Sequence, residues 1–336
     1  MVTSRWVDEF AAKDEVFRHH IFSKKLGIGN TPLYRFEEFE GHRRELYAKL
    51  EWYNFTGSVK ARPVLEIFIQ FLERGNGRVL LDSSSGNAGI AYAGIGHYLG
   101  TPVTIVMPKM FGEDKVSQIR SYGGRIIFSK AEELSDGAID KAIELATENP
   151  DMYFYANQYD NEANQRAHEK TGDEIWKQTM GRITKLVATI GTGGTISGAG
   201  RKLKKYNPEI EVIAVEPEED LHDIEGLKNL KVSKHIPKNY DSSVIDRTIR
   251  VKTEEAYKMV KQVRKRIDFS SNRFKPTQYN KYGYVGLSSG AAMVASLELM
   301  KEIDEGVIVT IFADSGDKYL PLLSRWDSQS NLRKKI

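Results

Sequence analysis

Residues 49–63 read Lys49-Leu50-Glu51-Trp52-Tyr53-Asn54-Phe55-Thr56-Gly57-Ser58-Val59-Lys60-Ala61-Arg62-Pro63. An alternating, strand-like run over 44–54 ends in this stretch. Gly57 then turns the backbone, Ser58 is suited to cap a helix, and Lys60 falls in that helix's first turn. A lysine at a helix start is most simply a solvated cap residue, since lysine is seldom buried without a partner. The start of a helix is also electropositive and disfavours an ammonium, which pushes an amine held there towards its neutral, usable form. Which of the two Lys60 is depends on what the rest of the chain brings to it.

Outward from this stretch, short apolar segments alternate with helical ones. A helix over 58–75 carries Val64, Ile67, Phe68, Phe71 and Leu72 at helical spacing and stops at Gly75. A short strand precedes it at 31–34. Strands follow at 79–81, 103–107, 126–128 and 186–190, separated by helices over 88–98, 115–122, 136–147 and 166–178. The second half repeats the alternation, with helices over 196–206 and 254–267 and strands at 212–215 and 307–312. Continuous apolar strands between helices are parallel strands buried on both faces, so the fold class is α/β. At 336 residues the chain exceeds one ordinary core, and two α/β domains with a ligand cleft between them are expected.

Composition narrows the chemistry. Hydrophobic content of 40% and charged content of 28% are those of a globular protein. A net charge of +3 without a basic tract gives no sign of nucleic-acid binding. The absence of cysteine removes disulfides, thiolate catalysis and cysteine-ligated zinc. No signal-peptide core opens the sequence, and no apolar run reaches the about 20 residues that span a bilayer, so a cytoplasmic location is expected.

Three loops each follow a strand and open a helix, where open α/β sheets keep their chemistry. Ser83-Ser84-Ser85-Gly86-Asn87-Ala88-Gly89 offers backbone amides and hydroxyls to a carboxylate or phosphate, or else is an ordinary helix cap. Gly191-Thr192-Gly193-Gly194-Thr195-Ile196-Ser197-Gly198 is a nest of N–H donors suited to a monophosphate. It lacks the lysine of a Walker loop, and Ile196 stands where a dinucleotide fingerprint needs its third glycine. Gly286-Leu287-Ser288-Ser289-Gly290 matches a hydrolase nucleophile elbow, but all seven histidines lie upstream of Ser288, so the acid and histidine cannot follow in hydrolase order. Close helix–backbone approach explains Gly286 and Gly290 better. No metal-binding spacing occurs, and the adjacent His19 and His20 point to different helix faces. A lysine at a helix start together with a monophosphate nest suggests pyridoxal phosphate held as a Schiff base.

With these motifs in view, the chain resembles the β-family, fold type II, of pyridoxal-phosphate enzymes, in its cysteine synthase and cystathionine β-synthase group. The resemblance runs from Ile28-Gly29-Asn30-Thr31-Pro32-Leu33 to Asp314-Ser315-Gly316-Asp317-Lys318-Tyr319-Leu320. It implies that Lys60 carries the cofactor, that Gly191, Thr192, Gly193, Gly194 and Thr195 hold its phosphate, and that Asn87 bonds the pyridoxal 3′ oxygen. It further implies that Ser84, Ser85, Gly86 and Gln158 clasp the substrate carboxylate, and that Ser315 sets a hydroxyl against the pyridine nitrogen. His222-Asp223-Ile224-Glu225-Gly226-Leu227 is a weaker match to the stretch at the cleft mouth. The implied architecture is a smaller domain over 40–155, carrying Lys60 and the Ser84–Asn87 loop, and a larger one over 1–39 and 156–326, each a twisted, mostly parallel sheet with helices on both faces. A polar, frayed tail covers 327–336.

The activity implied is β-replacement through an aminoacrylate. An activated serine, O-acetylserine or O-phosphoserine, reacts with sulfide to give L-cysteine, and Lys60 is both anchor and base. A serine opposite the pyridine nitrogen makes a weaker electron sink than an aspartate, which favours loss of a β-substituent. Cystathionine β-synthase activity with homocysteine and a serine-dehydratase type of elimination are the alternatives within the group. A non-catalytic amino-acid binder is the alternative outside it, against which the presence of Lys60 argues. A homodimer is what the family implies. Ala61 and Ala88 depart from the family's usual aspartate and threonine, and 268–281, with Arg273 and Lys275, does not match the usual segment. Arg273 reads as a solvated cation or as a ligand for a phosphorylated leaving group.

Overall fold

The computed structural model describes residues 15–37, 43–84, 86–109, 113–267 and 277–333. An N-terminal helix α1 (Glu15–Leu26) leads to β1 (Leu33–Arg35), which pairs antiparallel with β2 (Arg44–Leu50). β2 ends four residues before the run read from the sequence. Two 3-10 turns, Glu51–Tyr53 and Phe55–Gly57, replace the rest of it. Between them Asn54 Nδ2 donates to the Glu51 carbonyl at 2.9 Å, and Thr56 and Gly57 take φ values of 65° and 72°. Consecutive left-handed residues cannot continue a strand, so the chain reverses there. Glycine is also required at 57 because a Cβ would lie 2.6 Å from Tyr279 Cβ. The Ser58 hydroxyl accepts the Lys60 N–H at 3.3 Å, and α2 begins only at Ala61 (Ala61–Arg74). Lys60 is therefore the helix's N-cap residue and not a member of its first turn.

The chain continues as β3 (Val79–Ser83), α3 (Asn87–Leu99), β4 (Val103–Pro108), α4 (Glu113–Ser121), β5 (Arg125–Ser129), α5 (Leu134–Glu148), β6 (Tyr153–Tyr155) and α6 (Ala163–Gln178). Then come β7 (Lys185–Thr189), α7 (Gly194–Tyr206), β8 (Glu211–Pro217), β9 (Arg247–Val251), α8 (Thr253–Arg266), α9 (Leu287–Glu302), β10 (Gly306–Phe312) and α10 (Leu320–Arg333). Among the described residues these strands form two sheets. One is wholly parallel, in the order β5-β4-β3-β6; the other runs β1-β2-β10-β7-β8-β9, with only β1 antiparallel.

β2 pairs with β10 along its whole length, Arg44 opposite Gly306 through Leu50 opposite Phe312. The polypeptide thus leaves the larger sheet after residue 50, not at residue 40. The reason is local: all of Leu46–Leu50 is buried on both faces, as an interior parallel strand must be, and the turn that redirects the chain lies beyond it. β6 and β9 carry too little apolar signal to stand out in the sequence, since β6 has three residues and Arg247–Val251 is exposed at three of its five positions. The tail is helical through Arg333 instead of frayed, and Trp326 stacks on Tyr257 with ring centroids 4.3 Å apart, which anchors it. Residues 268–276, with Arg273 and Lys275, lie outside the described residues.

The strands of the larger sheet alternate strictly between two cores. Leu186, Ala188, Val212, Ala214, Val307 and Val309 pack with Ile175, Ile196, Ala199 and Leu203 of α6 and α7. Val187, Ile213, Val215, Ile308 and Phe312 face Ala256, Val260, Ala291 and Ala295 of α8 and α9. A period of two with both faces apolar is the signature of a sheet covered on each side. α2 and α3 cover one face of the smaller sheet through Leu65, Phe68, Ala91 and Tyr92, and α5 covers the other through Ala138 and Ala142. No helix among the described residues is long and apolar enough to cross a membrane.

Candidate active site

The parallel strands end on a common cleft, and the loops beyond β3, β7 and β10 turn into it. Lys60, Ser84, Gly86, Asn87, Gln158, Gly191, Thr192, Gly193 and Thr195 all line this one cavity. Gly194 and Ser315 are buried behind its wall, and Ser85 lies outside the described residues.

Lys60 is positioned from the end of β10. The Val59 N–H donates to the Ala313 carbonyl at 2.8 Å, and Ser58 bridges to Asp314, so the residues just before the lysine are stitched to the end of β10. Burial lowers the Lys60 ammonium from its usual range, and the Asp314 carboxylate only partly opposes this. The result is an amine that gives up its proton more readily than a surface lysine does.

The Ser84 hydroxyl accepts the N–H groups of Gly86 at 3.1 Å and Gly89 at 2.8 Å. It caps α3 and faces the cavity at the same time, so the helix-cap and ligand-loop readings of this motif describe one device. Gln158 is held from three sides. Its Nε2 donates to the Ser83 carbonyl at 2.7 Å, its N–H donates to Asp82 Oδ2 at 3.2 Å, and its carbonyl accepts from Asn164 and Asn239. Asp82 is fully buried, and burial pushes its carboxyl up to about 7, against the N–H groups of Ser83 and Gln158, which favour the carboxylate.

The Gly191–Thr195 loop runs into the N-terminus of α7, where free N–H groups and the helix dipole favour an anion. Its glycines are sterically required. A Cβ at 191 would lie 2.3 Å from the Gly226 carbonyl oxygen, one at 194 would lie 2.0 Å from Asn164 Oδ1, and Gly193 has φ of 80°. Asn164 Nδ2 donates to Thr192 Oγ1 at 3.0 Å, which leaves the Thr192 hydroxyl hydrogen for a ligand. Thr195 Oγ1 is 3.1 Å from Nε2 of buried His168, whose ring burial and the charges of Arg62 and Lys60 keep neutral. A cradle of backbone donors and threonine hydroxyls facing a desolvated lysine fits a phosphorylated aldehyde such as pyridoxal phosphate.

Asn87 Nδ2 donates to Asp314 Oδ2 at 2.7 Å, and that same oxygen accepts from the Tyr319 hydroxyl at 2.7 Å. Ser315 is fully buried and donates its hydroxyl to the Tyr279 carbonyl. Gly286 N-caps α9 and donates its N–H to the Asp314 carbonyl. A Cβ there would lie 1.8 Å from Asp314 Oδ1, and one at Gly290 would lie 2.4 Å from the Ala256 carbonyl. Close approach, not an elbow, accounts for both glycines.

Sequence reasoning missed Lys115, Lys228 and Tyr159, which also line the cavity, and named no role for Glu225. Lys115, near the start of α4, pairs with Glu225. Lys228 gives its three hydrogens to Asp136 at 2.8 Å, Ser233 Oγ at 2.8 Å and the His235 carbonyl at 3.2 Å. Lys115 was within reach of the strand-end rule, since it opens the helix after β4.

A family model described as pyridoxal-phosphate dependent enzyme matches residues 24–314. The chain belongs to that family of pyridoxal-phosphate dependent enzymes, with the fold type II architecture. Within it the chain is similar to the cysteine synthase of Aquifex aeolicus, 44% identical over 305 residues that cover 87% of this chain and 89% of the relative. It is 34% identical to cysteine synthase B of Pseudomonas aeruginosa, over 87% of this chain and 94% of that one. Among solved structures, the cysteine synthase of Entamoeba histolytica superposes with a TM-score of 0.77 at 32% identity, covering 87% of each chain. A hydrogen sulfide-producing enzyme of Fusobacterium nucleatum does so with a TM-score of 0.78 at 29% identity, covering 88% of this chain and 98% of that one.

Proposed function

We propose that the protein is a pyridoxal-phosphate dependent β-replacement enzyme of the cysteine synthase kind, forming L-cysteine from an activated serine and sulfide. The observation that carries this is the convergence on one cavity of a desolvated Lys60, an anion cradle at Gly191–Thr195 and a hydroxyl–amide loop at Ser84–Asn87. The similarity to cysteine synthases over most of the chain supports it.

The cofactor, when bound, supplies the electron sink that acidifies an amino acid's Cα–H. The Gly191–Thr195 amides and the Thr192 and Thr195 hydroxyls would hold its phosphate, and Lys60 Nζ its aldehyde carbon. The free α3 amides, the Ser84 hydroxyl and Gln158 orient the substrate carboxylate. Lys60 Nζ, depressed by burial, then accepts the Cα proton as the β-substituent departs and returns a proton once the sulfur nucleophile has added. The family resemblance also supports a homodimer working in the cytoplasm.

The test mixes purified yellow protein separately with serine, O-acetylserine and O-phosphoserine, follows the cofactor's visible absorbance, and then adds sulfide or homocysteine while quantifying cysteine and cystathionine. Cysteine from sulfide and one of the two activated serines is expected. Cystathionine alone would overturn the choice of nucleophile. A colourless protein, or one in which borohydride does not label Lys60, would overturn the cofactor.

A further inference from the structure

Lys318 lies one turn past β10, in the 3-10 turn Gly316–Tyr319, and its side chain reaches back to the cleft wall. Its Nζ donates to Asn87 Oδ1 and approaches the Gly57 carbonyl at 3.4 Å. It therefore joins three separate pieces of chain: the turn before Lys60, the first residue of α3, and the segment after β10. On its other side Asn87 donates from Nδ2 to Asp314 Oδ2 at 2.7 Å. An amide set between an ammonium and a carboxylate has one allowed orientation. The flipped form would put its carbonyl oxygen against the Asp314 carboxylate and its NH2 against Lys318. Asn87 lines the cavity, so the amide that these two bonds orient is also presented to it.

We propose that Lys318 is a positioning residue: its ammonium fixes the Asn87 amide and sets a positive charge beside the anionic ring oxygen of the cofactor that this amide contacts. The proposal rests on the cofactor reading above. An anionic acceptor next to Asn87 is favoured while Lys318 is charged and disfavoured when it is not.

The geometry also predicts a titration. Burial pulls the Lys318 ammonium down to about 8. The groups facing it are Asp314 and Asp317 from its own segment, Glu225 from the cleft-mouth loop, and Lys115 from α4. The three carboxylates raise it and Lys115 lowers it further, without undoing the effect of burial. Because the pKa is depressed, the charge is present below about 8 and is lost as pH rises through that value.

The experiment compares holoprotein of the parent chain with Lys318→Arg and Lys318→Met, reading the ratio of visible to near-ultraviolet cofactor absorbance across pH, together with the cofactor dissociation constant. The parent should lose visible absorbance as Lys318 deprotonates, with a midpoint above about 8, because the cofactor's anionic oxygen raises the ammonium that burial alone holds down. Lys318→Arg, whose guanidinium stays charged, should keep the visible band with no such midpoint. Lys318→Met should favour the near-ultraviolet form at every pH and bind the cofactor about tenfold more weakly, which is the loss of about 1.4 kcal/mol. A merely structural lysine would lower thermal stability in Lys318→Met and leave the spectral titration as in the parent, and that result overturns the proposal. If Lys318→Met does not fold, a parent-like midpoint in Lys318→Arg overturns it equally. Failure of the cofactor reading looks different, since then even the parent has no visible band and no borohydride label on Lys60.

Discussion

Arg62 and Glu51 form a two-pronged ion pair away from solvent, with Nε 2.6 Å from Oε2 and Nη2 2.9 Å from Oε1, two residues beyond Lys60. Glu174 of α6 takes two more guanidinium hydrogens at 2.7 and 2.8 Å and pairs with fully buried Lys49 at 2.6 Å. Burial alone would raise the Glu174 carboxyl, but Arg62 and Lys49 hold it down to about 2. The cluster locks the first turn of α2 to the end of β2 and so holds Lys60 between the two sheets. Removing one charge of such a cluster strands the others in a medium that cannot solvate them. Glu51→Gln should therefore lower the unfolding free energy by about 3 kcal/mol. Denaturant titration measures this, and a loss below about 1 kcal/mol would show that the cluster adds little.

Lys60→Ala should reduce activity by about 10³-fold or more, through loss of the proton acceptor at Nζ and of the cofactor's attachment. Stability should be unchanged or slightly higher, because a buried ammonium is removed at the same time. Activity assay, borohydride labelling and a thermal melt together check it. A variant that stays labelled and active would contradict the assignment.

At Gly193 the φ of 80° and the Tyr240 backbone, 2.6 Å from where a Cβ would lie, both oppose any side chain. Gly193→Ala should cost about 1–3 kcal/mol, felt at the loop, and so weaken cofactor binding by about 10- to 100-fold. Equilibrium dialysis of the cofactor is the measurement. Unchanged affinity would remove this loop from the phosphate site.

Asp82 predicts an unusual pH dependence. Its carboxyl is raised to about 7 in the folded chain, so the folded state holds a proton that the unfolded chain releases at ordinary carboxylate pH. Stability from this group is present at acid pH and is lost as pH rises towards about 7. The stability of Asp82→Asn relative to the parent should then improve by about 2–4 kcal/mol between acid and mildly alkaline pH. Paired denaturant titrations across that range decide it, and parallel curves would refute it.

Particular residues show where reading the sequence worked. Val187 and Leu186 face opposite cores, as a doubly covered parallel strand requires, and an uninterrupted apolar run announces this. The Gly191–Thr195 nest was legible because a donor cradle needs residues without Cβ, and composition alone exposes that. β9 was not legible, since Arg247 and Arg250 mask its two inward residues. Lys115 stands at the start of the helix after β4, where the strand-end rule points, but Lys228 was not legible, because nothing in a lone lysine tells a cavity wall from a solvated surface.

The sequence by itself determined the α/β alternation and the strand-to-helix loops, because apolar periodicity and glycine placement are local properties that act through the backbone of the segment that carries them. Only the tertiary structure decided that β2 belongs to the larger sheet, that Lys60 caps its helix, that Ser315 turns to the Tyr279 carbonyl, and that Lys318 meets Asn87. These depend on contacts between residues far apart in the chain, as 318 and 87 are, and on the burial those contacts create. Burial sets the charge states of Lys60, Asp82 and Lys318, and no stretch of sequence holds it alone.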